Sequence, residues 1–196
     1  MDVAIIQYNA GNICSVVNAF KRLGIEPTIT ADPLKLSQAS HIVFPGQGEA
    51  GTTMAFLREK GLDRLIKSLS QPFLGICIGM QLMCRHSDEE DTDCLGIFDV
   101  DVCRFKPQRH EDKVPQMGWN TILNLKSPLF NNVDSGSYTY FIHSYYAPVC
   151  QYTIASTEYI LPYSSALHKD NYYATQFHPE KSGKIGEQII RNFLEI

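Results

Sequence analysis

The sequence lacks the features that would place it outside ordinary globular proteins. It has no unbroken apolar run near the roughly 20 residues of a membrane-spanning helix. Basic residues are nowhere denser than Arg104-Phe-Lys106 with Arg109, a stretch that reads as a solvated loop. With 17 basic against 21 acidic residues the formal net charge is −4, and nucleic acid is excluded as a main partner because phosphate binding needs clustered Lys and Arg. There is no C-x-x-C pair, so the six cysteines, Cys14, Cys77, Cys84, Cys94, Cys103 and Cys150, offer no zinc site. In a chain long enough to build its own core they read as reduced thiols, mostly buried. The residues after Met1 include neither the basic stretch nor the cleavage site of a secretory leader, and a cytoplasmic location is expected.

Charged residues make up only 19% of the chain against 44% hydrophobic and 11% aromatic, which disfavours disorder and coiled coil. No repeat, low-complexity tract or linker divides the 196 residues. At about 150 residues per domain, one domain over 1–196 is expected.

The first 80 residues alternate between strand and helix patterns. Val3 to Tyr8 is an apolar run. After Asn9-Ala-Gly-Asn12, Ile13, Val16, Val17, Phe20 and Leu23 fall at helical spacing, with Asn12 placed to cap and Gly24 to terminate. His41 to Phe44 is a second strand, closed by Pro45-Gly-Gln-Gly48 and followed by helices over about 52–59 and 62–69. Phe73 to Ile76 is a third, running into a helix from Cys77 to about Arg85. Apolar strands alternating with helices imply a parallel sheet with right-handed crossovers. The second half is richer in strands, over 97–105, 120–125, 138–143, 152–157 and 172–177, expected as antiparallel additions around a turn at Lys169-Asp-Asn171. Ser182 is placed to cap a last helix whose apolar face is Ile185, Ile189, Ile190 and Phe193.

The sharpest chemical signal is Gly75-Ile-Cys77-Ile-Gly79, at the end of a strand and the start of a helix. It is the thiol counterpart of the G-x-S-x-G nucleophile elbow, in which flanking glycines permit a strained turn that lifts the nucleophile from the sheet. The helix N-terminus favours the sulfur anion. A buried cysteine in a glycine-kinked strand end is the plainer alternative, and it is the reading for Cys84, further along the same helix. A thiolate needs a base. Proline holds His178 extended in His178-Pro179-Glu180, so the imidazole and the carboxylate project to one side, giving a Cys-His-Glu set. Of the other histidines, His41 starts a strand, His86 and His110 lie in polar stretches, His168 sits by a turn, and His143 is intermediate. An oxyanion needs donors. The backbone N–H of Ile78 is one, and the Gly46-Gln47-Gly48 turn, otherwise an ordinary βα turn, can supply another. Asn9-Ala-Gly-Asn12 is not a G-x-G-x-x-G loop, so no dinucleotide site is expected.

An oxyanion turn, a cysteine elbow and a C-terminal H-P-E, in that order, resemble a class I (triad) glutamine amidotransferase. The resemblance extends over essentially the whole chain to the glutaminase subunits of imidazole glycerol phosphate synthase. It is carried by Tyr8-Asn-Ala-Gly-Asn-Ile-Cys-Ser-Val16, Pro45-Gly-Gln-Gly48, Leu74-Gly-Ile-Cys-Ile-Gly-Met-Gln81, Cys94-Leu-Gly-Ile-Phe98, Val114-Pro-Gln-Met-Gly-Trp-Asn120, Tyr140-Phe-Ile-His-Ser-Tyr145 and Gln176-Phe-His-Pro-Glu-Lys-Ser-Gly183. Gln47 departs from it, standing where the family usually has an aliphatic residue.

The resemblance implies a three-layer, doubly wound α/β fold of flavodoxin-like topology with a mostly parallel mixed sheet. It implies hydrolysis of L-glutamine through a Cys77 thioester, with His178 shuttling protons and Glu180 holding it, and with no metal or cofactor. Gln81 and the backbone near Gly48 and Ser144 would contact the amino-acid end of the substrate. The family's partner is a separate (β/α)₈ cyclase subunit, joined as a heterodimer. It takes the ammonia to the acceptor PRFAR, giving imidazole glycerol phosphate and AICAR. Asn12, Trp119, Tyr138 and Lys181 match positions at or near that interface. Trp119 could equally be core, and Lys181 a plain surface lysine. Three alternatives stand beside this one: the glutaminase subunit of pyridoxal phosphate synthase, whose Gly-Gly-Glu-Ser segment is missing here; a non-catalytic binding module on the same fold; and a cysteine peptidase or esterase on a related elbow.

Overall fold

The structure, a computed structural model, describes residues 1–8, 13–46 and 48–196. The expected roles of Asn12 and Gln47 therefore lie outside the described residues. The first half contains β1 (Val3–Ile6), α1 (Cys14–Arg22), β2 (Thr28–Thr30), α2 (Pro33–Gln38), β3 (His41–Phe44), α3 (Ala50–Glu59), α4 (Leu62–Ser68), β4 (Phe73–Ile76) and α5 (Ile78–Met83). There follow β5 (Cys84–Ser87), β6 (Thr92–Asp93), β7 (Phe98–Arg104), β8 (Gln116–Thr121), β9 (Tyr138–His143), β10 (Tyr145–Tyr146), β11 (Thr153–Glu158), β12 (Pro162–Lys169), β13 (Tyr172–Thr175) and α6 (Gly183–Leu194).

A seven-stranded sheet runs in the order β11-β12-β13-β4-β3-β1-β2. From β13 to β2 every pairing is parallel, while β11 and β12 are antiparallel. The parallel part has the flavodoxin-like order, with β13 as its fifth strand. Because successive side chains point to opposite faces, each central strand feeds two cores. Ala4, Ile6, Ile42, Phe44 and Phe73 pack under α2 to α5 with Leu36, Met54, Leu57, Ile66 and Met80. Val3, Ile5, Val43, Leu74 and Ile76 pack under α1 and α6 with Val16, Phe20, Ile189, Ile190 and Phe193. This is the three-layer α/β arrangement the sequence implied. Among the described residues no helix is long and apolar enough to cross a membrane.

Several expected elements differ. The helix after Cys77 stops at Met83 instead of reaching Arg85. The Leu82, Met83 and Cys84 carbonyls accept hydrogen bonds from the N–H groups of Leu95, Ile97 and Gly96, so a tertiary strand replaces the next helical turn. The strand expected over 120–125 is Gln116–Thr121, in register with β9. The later strands do not all extend the main sheet. β10-β7-β5-β6 and β8-β9 are separate small sheets, and β13 is parallel to β4. Sequence reading missed β2, α2 and the long β12. In β12, Ser164 and Ser165 interrupt the apolar pattern yet are fully buried, and Ser164 Oγ bonds the Pro148 carbonyl at 2.8 Å. Against the expectation of mostly buried thiols, only Cys77 and Cys84 of the six cysteines are buried, Cys14 is exposed, and the rest are intermediate.

Asn192 of α6 is buried and donates to the carbonyls of Leu129 and Asn131 at 2.9 and 2.7 Å. Replacing it with Ala strands two acceptors, and urea unfolding should report a loss of about 2 kcal/mol or more.

Candidate active site

Three parallel strands end side by side at one edge of the sheet: β3 at Phe44, β4 at Ile76 and β13 at Thr175. Each is followed at once by a piece of the site. After β4, Cys77 takes φ 52° and ψ −109° before α5 begins, a strained conformation for a residue with a side chain. The elbow is closed by contacts that only glycine allows. A Cβ on Gly79 would overlap the Phe44 carbonyl oxygen, and one on Gly75 would come within 2.5 Å of Met83 Sδ. Across the gap to β13, Cys77 N donates to the Thr175 carbonyl at 2.7 Å.

After β3, Gly46 is pressed directly on the elbow, where a Cβ would overlap the Ile76 carbonyl and sit 2.6 Å from Cys77 Cβ. Gly48 follows at φ +137°. Tyr8, at the end of the first apolar run, donates its hydroxyl to the Pro45 carbonyl at 2.6 Å and so pins the turn from beneath. Sequence reading gave Tyr8 no such role.

After β13 come His178 and Glu180. Nδ1 of His178 lies 2.7 Å from Glu180 Oε1, and both side chains are 2% exposed. A carboxylate there fixes the proton on Nδ1 and leaves Nε2 for the Cys77 sulfur. Burial, the largest single influence, opposes protonation of this ring. The charge and polar contact of the Cys77 sulfur, reinforced by Glu180, outweigh it and raise the pKa above the ordinary value. Nε2 makes no well-directed hydrogen bond, as is common before substrate aligns such a pair. Ser182, expected as a helix cap, instead donates to the His178 carbonyl at 2.6 Å and accepts from Tyr140 N at 3.0 Å, tying the His178 loop to β9.

A cleft of about 110 Å³ opens over the sulfur, lined by Gly48, Cys77, Ile78, Gln81, Glu89 and the 142–145 segment. Gln81 and Ser144, expected at the substrate, are on its wall. So is Glu89, which the sequence gave no reason to single out, because it reaches the cleft from 39 residues beyond Ala50, whose N–H it accepts at 2.9 Å. Burial raises the Glu89 pKa, with Glu49 and Glu90 adding to the rise and the Ala50 bond opposing it. The Gln81 amide nitrogen is spent inward on the Tyr145 carbonyl and on Gln176 Oε1, each at 3.0 Å, leaving its oxygen for a donor in the cleft. His143, intermediate from sequence, proves to be a buried wall residue. Its Nδ1 is 2.7 Å from the Tyr145 carbonyl, Nε2 is 3.3 Å from the Tyr163 hydroxyl, and burial pulls its pKa down to about 4. Among the described residues no group of three or more His, Cys, Asp or Glu could hold a metal ion.

Trp119 and Tyr138 are not in the core. They are 56% and 60% exposed, and they share one face of the β8-β9 ribbon with the exposed Met117. Exposed Lys181 sets its ammonium 6.0 Å from the Tyr140 ring on the same face.

Strained thiol, paired imidazole and adjoining glycines on a doubly wound sheet are the marks of a cysteine-dependent enzyme of the nucleophile-elbow class. The glutamine amidotransferase class-I family model matches residues 4–196. A crystal structure of a glutamine amidotransferase, 20% identical, superposes with a TM-score of 0.74 over 98% of this chain and 97% of that one. The imidazole glycerol phosphate synthase subunit HisH of Bacteroides thetaiotaomicron is 63% identical over 196 residues, covering all of both chains. The protein of the same name from Shewanella oneidensis is 41% identical, covering all of this chain and 96% of its own. The chain belongs to the HisH family of class-I glutamine amidotransferases.

Two outcomes follow from this geometry. Ser182→Ala leaves the Tyr140 N–H without its partner and the His178 carbonyl with the Lys181 N–H alone, and should cost about 1 to 2 kcal/mol in denaturant unfolding. For His143 the sign is set by its lowered pKa. Between pH 6.5 and about 4 the unfolded chain binds a proton that the folded one refuses, so stability is lost as the pH is lowered through this range, by up to about 1.4 kcal/mol per unit. His143→Gln should flatten that acid limb in a pH series of unfolding free energies.

Proposed function

We propose that the chain is the glutaminase subunit of imidazole glycerol phosphate synthase, one amidotransferase domain over 1–196, with Cys77 as nucleophile. The juxtaposition of Cys77, His178 and Glu180 at two adjoining strand ends carries the reading, and family membership supports it. Glutamine enters with its γ-carboxamide over the sulfur. Cys77 attacks the carboxamide carbon, and His178 gives its proton to the nitrogen as the C–N bond breaks, releasing ammonia and leaving a thioester. Water, surrendering a proton to the same ring, then attacks the thioester and frees glutamate and the sulfur. Glu180 keeps the imidazole in one tautomer throughout. The N–H of Ile78 and those of Gly46 and Gly48 are assigned to the oxyanion. At the other end of the substrate, the Gln81 oxygen and the Glu89 carboxylate suit an ammonium group, and backbone N–H groups near Gly48 and Ser144 suit the α-carboxylate.

Ammonia released into water is protonated and loses its nucleophilicity, so a glutaminase that feeds a synthesis gains from being sealed against its consumer. The exposed face of Met117, Trp119 and Tyr138 with Lys181 is the surface we assign to that consumer, a HisF-type (β/α)₈ cyclase subunit acting on PRFAR in a cytoplasmic heterodimer. Aromatic side chains of this kind are frequent interface anchors.

Ammonia release from glutamine tests the assignment: slow in the chain alone, markedly faster with the cyclase and its ligand, and abolished by Cys77→Ala. Retention of hydrolysis in that variant would refute it. Trp119→Ala should weaken association with the cyclase by roughly tenfold or more, read by titration calorimetry.

A further inference from the structure

Behind the sulfur, the hydrogen-bond pattern fixes the orientation of a side chain that the reaction above does not use. The Tyr145 carbonyl can only accept, so the Gln81 atom 3.0 Å from it is the amide nitrogen. The other hydrogen of that nitrogen meets Oε1 of Gln176, also at 3.0 Å. With its oxygen engaged, Gln176 presents its own Nε2 to Cys77, 3.7 Å from Sγ. One backbone carbonyl thus sets both amides, and the sulfur receives an N–H from the protein interior.

Gln176 is fully buried and lies outside the cleft wall, so it does not contact glutamine directly. As a thiol, Cys77 can donate to the Ile142 carbonyl at 3.7 Å. The anion cannot, and it then faces the lone pairs of that oxygen. An N–H fixed on its other side answers that repulsion, and bonds to charged partners are the stronger ones. We propose that Gln176 is a catalytic residue: its carboxamide N–H, oriented by Gln81 and the Tyr145 carbonyl, holds the Cys77 thiolate in attacking position. This rests on Cys77 being the nucleophile. The other ionisable groups around the sulfur are His178 with Glu180 behind it, Tyr163 from β12, and His143 and Glu89 on the cleft wall.

The test is the rate at which iodoacetamide alkylates Cys77 in the full chain, followed on the Cys77 peptide by mass spectrometry across pH. Gln176→Glu keeps an oxygen for Gln81 but sets the other against the sulfur. Alkylation at neutral pH should slow by roughly tenfold, and its half-maximal pH should rise by about one unit. Gln176→Met, which carries no charge, should shift the profile in the same direction by a smaller amount. In the complex with the cyclase both variants should lower kcat while leaving KM for glutamine within about twofold, as expected for a group that touches the sulfur and not the substrate. Folded variants with the wild-type alkylation profile would overturn the proposal. Should neither fold, the side-chain amide protons of Gln176 in the wild-type chain decide: they should shift when Cys77 is alkylated, and no shift would overturn it. Alkylation requires no glutamine turnover, so failure of the wild-type complex to release ammonia would refute the glutaminase reading separately.

Discussion

Cys77 stands at the head of the sheet only because nothing larger than a hydrogen projects from Gly46, Gly75 and Gly79. Each of these glycines occupies space that a methyl group would contest with backbone or with the elbow itself. The positive φ of Cys77 stores strain, and the surrounding contacts retain it: α5 packed down on Phe44, the turn packed on Ile76, and the amide of Cys77 bound to Thr175. Parallel pairing of β3, β4 and β13 does the rest, because strands running the same way deliver their following loops to one edge. Gly46, Cys77 and His178, successively 31 and 101 positions apart, meet there through the sheet order alone.

What could be read from the sequence follows from how local each signal is. Gly75, Cys77 and Gly79 announce the elbow because its steric demands are confined to five residues, and His178-Pro-Glu180 announces the orienting pair because proline fixes the intervening backbone. The strands β3, β4 and β9 were legible from short apolar or alternating runs. β12 was not, since two buried serines break its apolar run, and Ser164 is satisfied by the Pro148 carbonyl and Thr153, partners no local pattern reveals. The end of α5 was hidden for the same reason: its last carbonyls are claimed by the 95–97 segment. Glu89 and Tyr8 escaped notice because their importance lies wholly in where the chain brings them. Ser182 was recognised as important but for the wrong bond. It stands at the N-cap of α6, yet its hydroxyl anchors the histidine loop to β9 and makes no capping bond.

The polar interior beside the cleft is unusually continuous. From Cys77 it runs through Gln176 and Gln81 to the Tyr145 carbonyl, on to His143, and then to Tyr163 and Gln116. A buried network is favourable only when its members are satisfied, and here each amide has its orientation dictated by a neighbour. The lowered pKa of His143 fits this place: a neutral ring donates to the Tyr145 carbonyl through Nδ1, while Nε2 and Gln116 Oε1 both face the single hydrogen of the Tyr163 hydroxyl.

The β8-β9 ribbon stands apart from the main sheet. At one end Thr121 pairs with Tyr138 among the exposed aromatics, and at the other Gln116 pairs with His143 beside the sulfur. Its middle grips the histidine loop through both backbone groups of Tyr140. Its outer end is moored to β11, where Leu123 pairs with Ser156 and the Thr121 carbonyl accepts from Thr157, so one short ribbon spans from the exposed aromatics to the wall of the cleft.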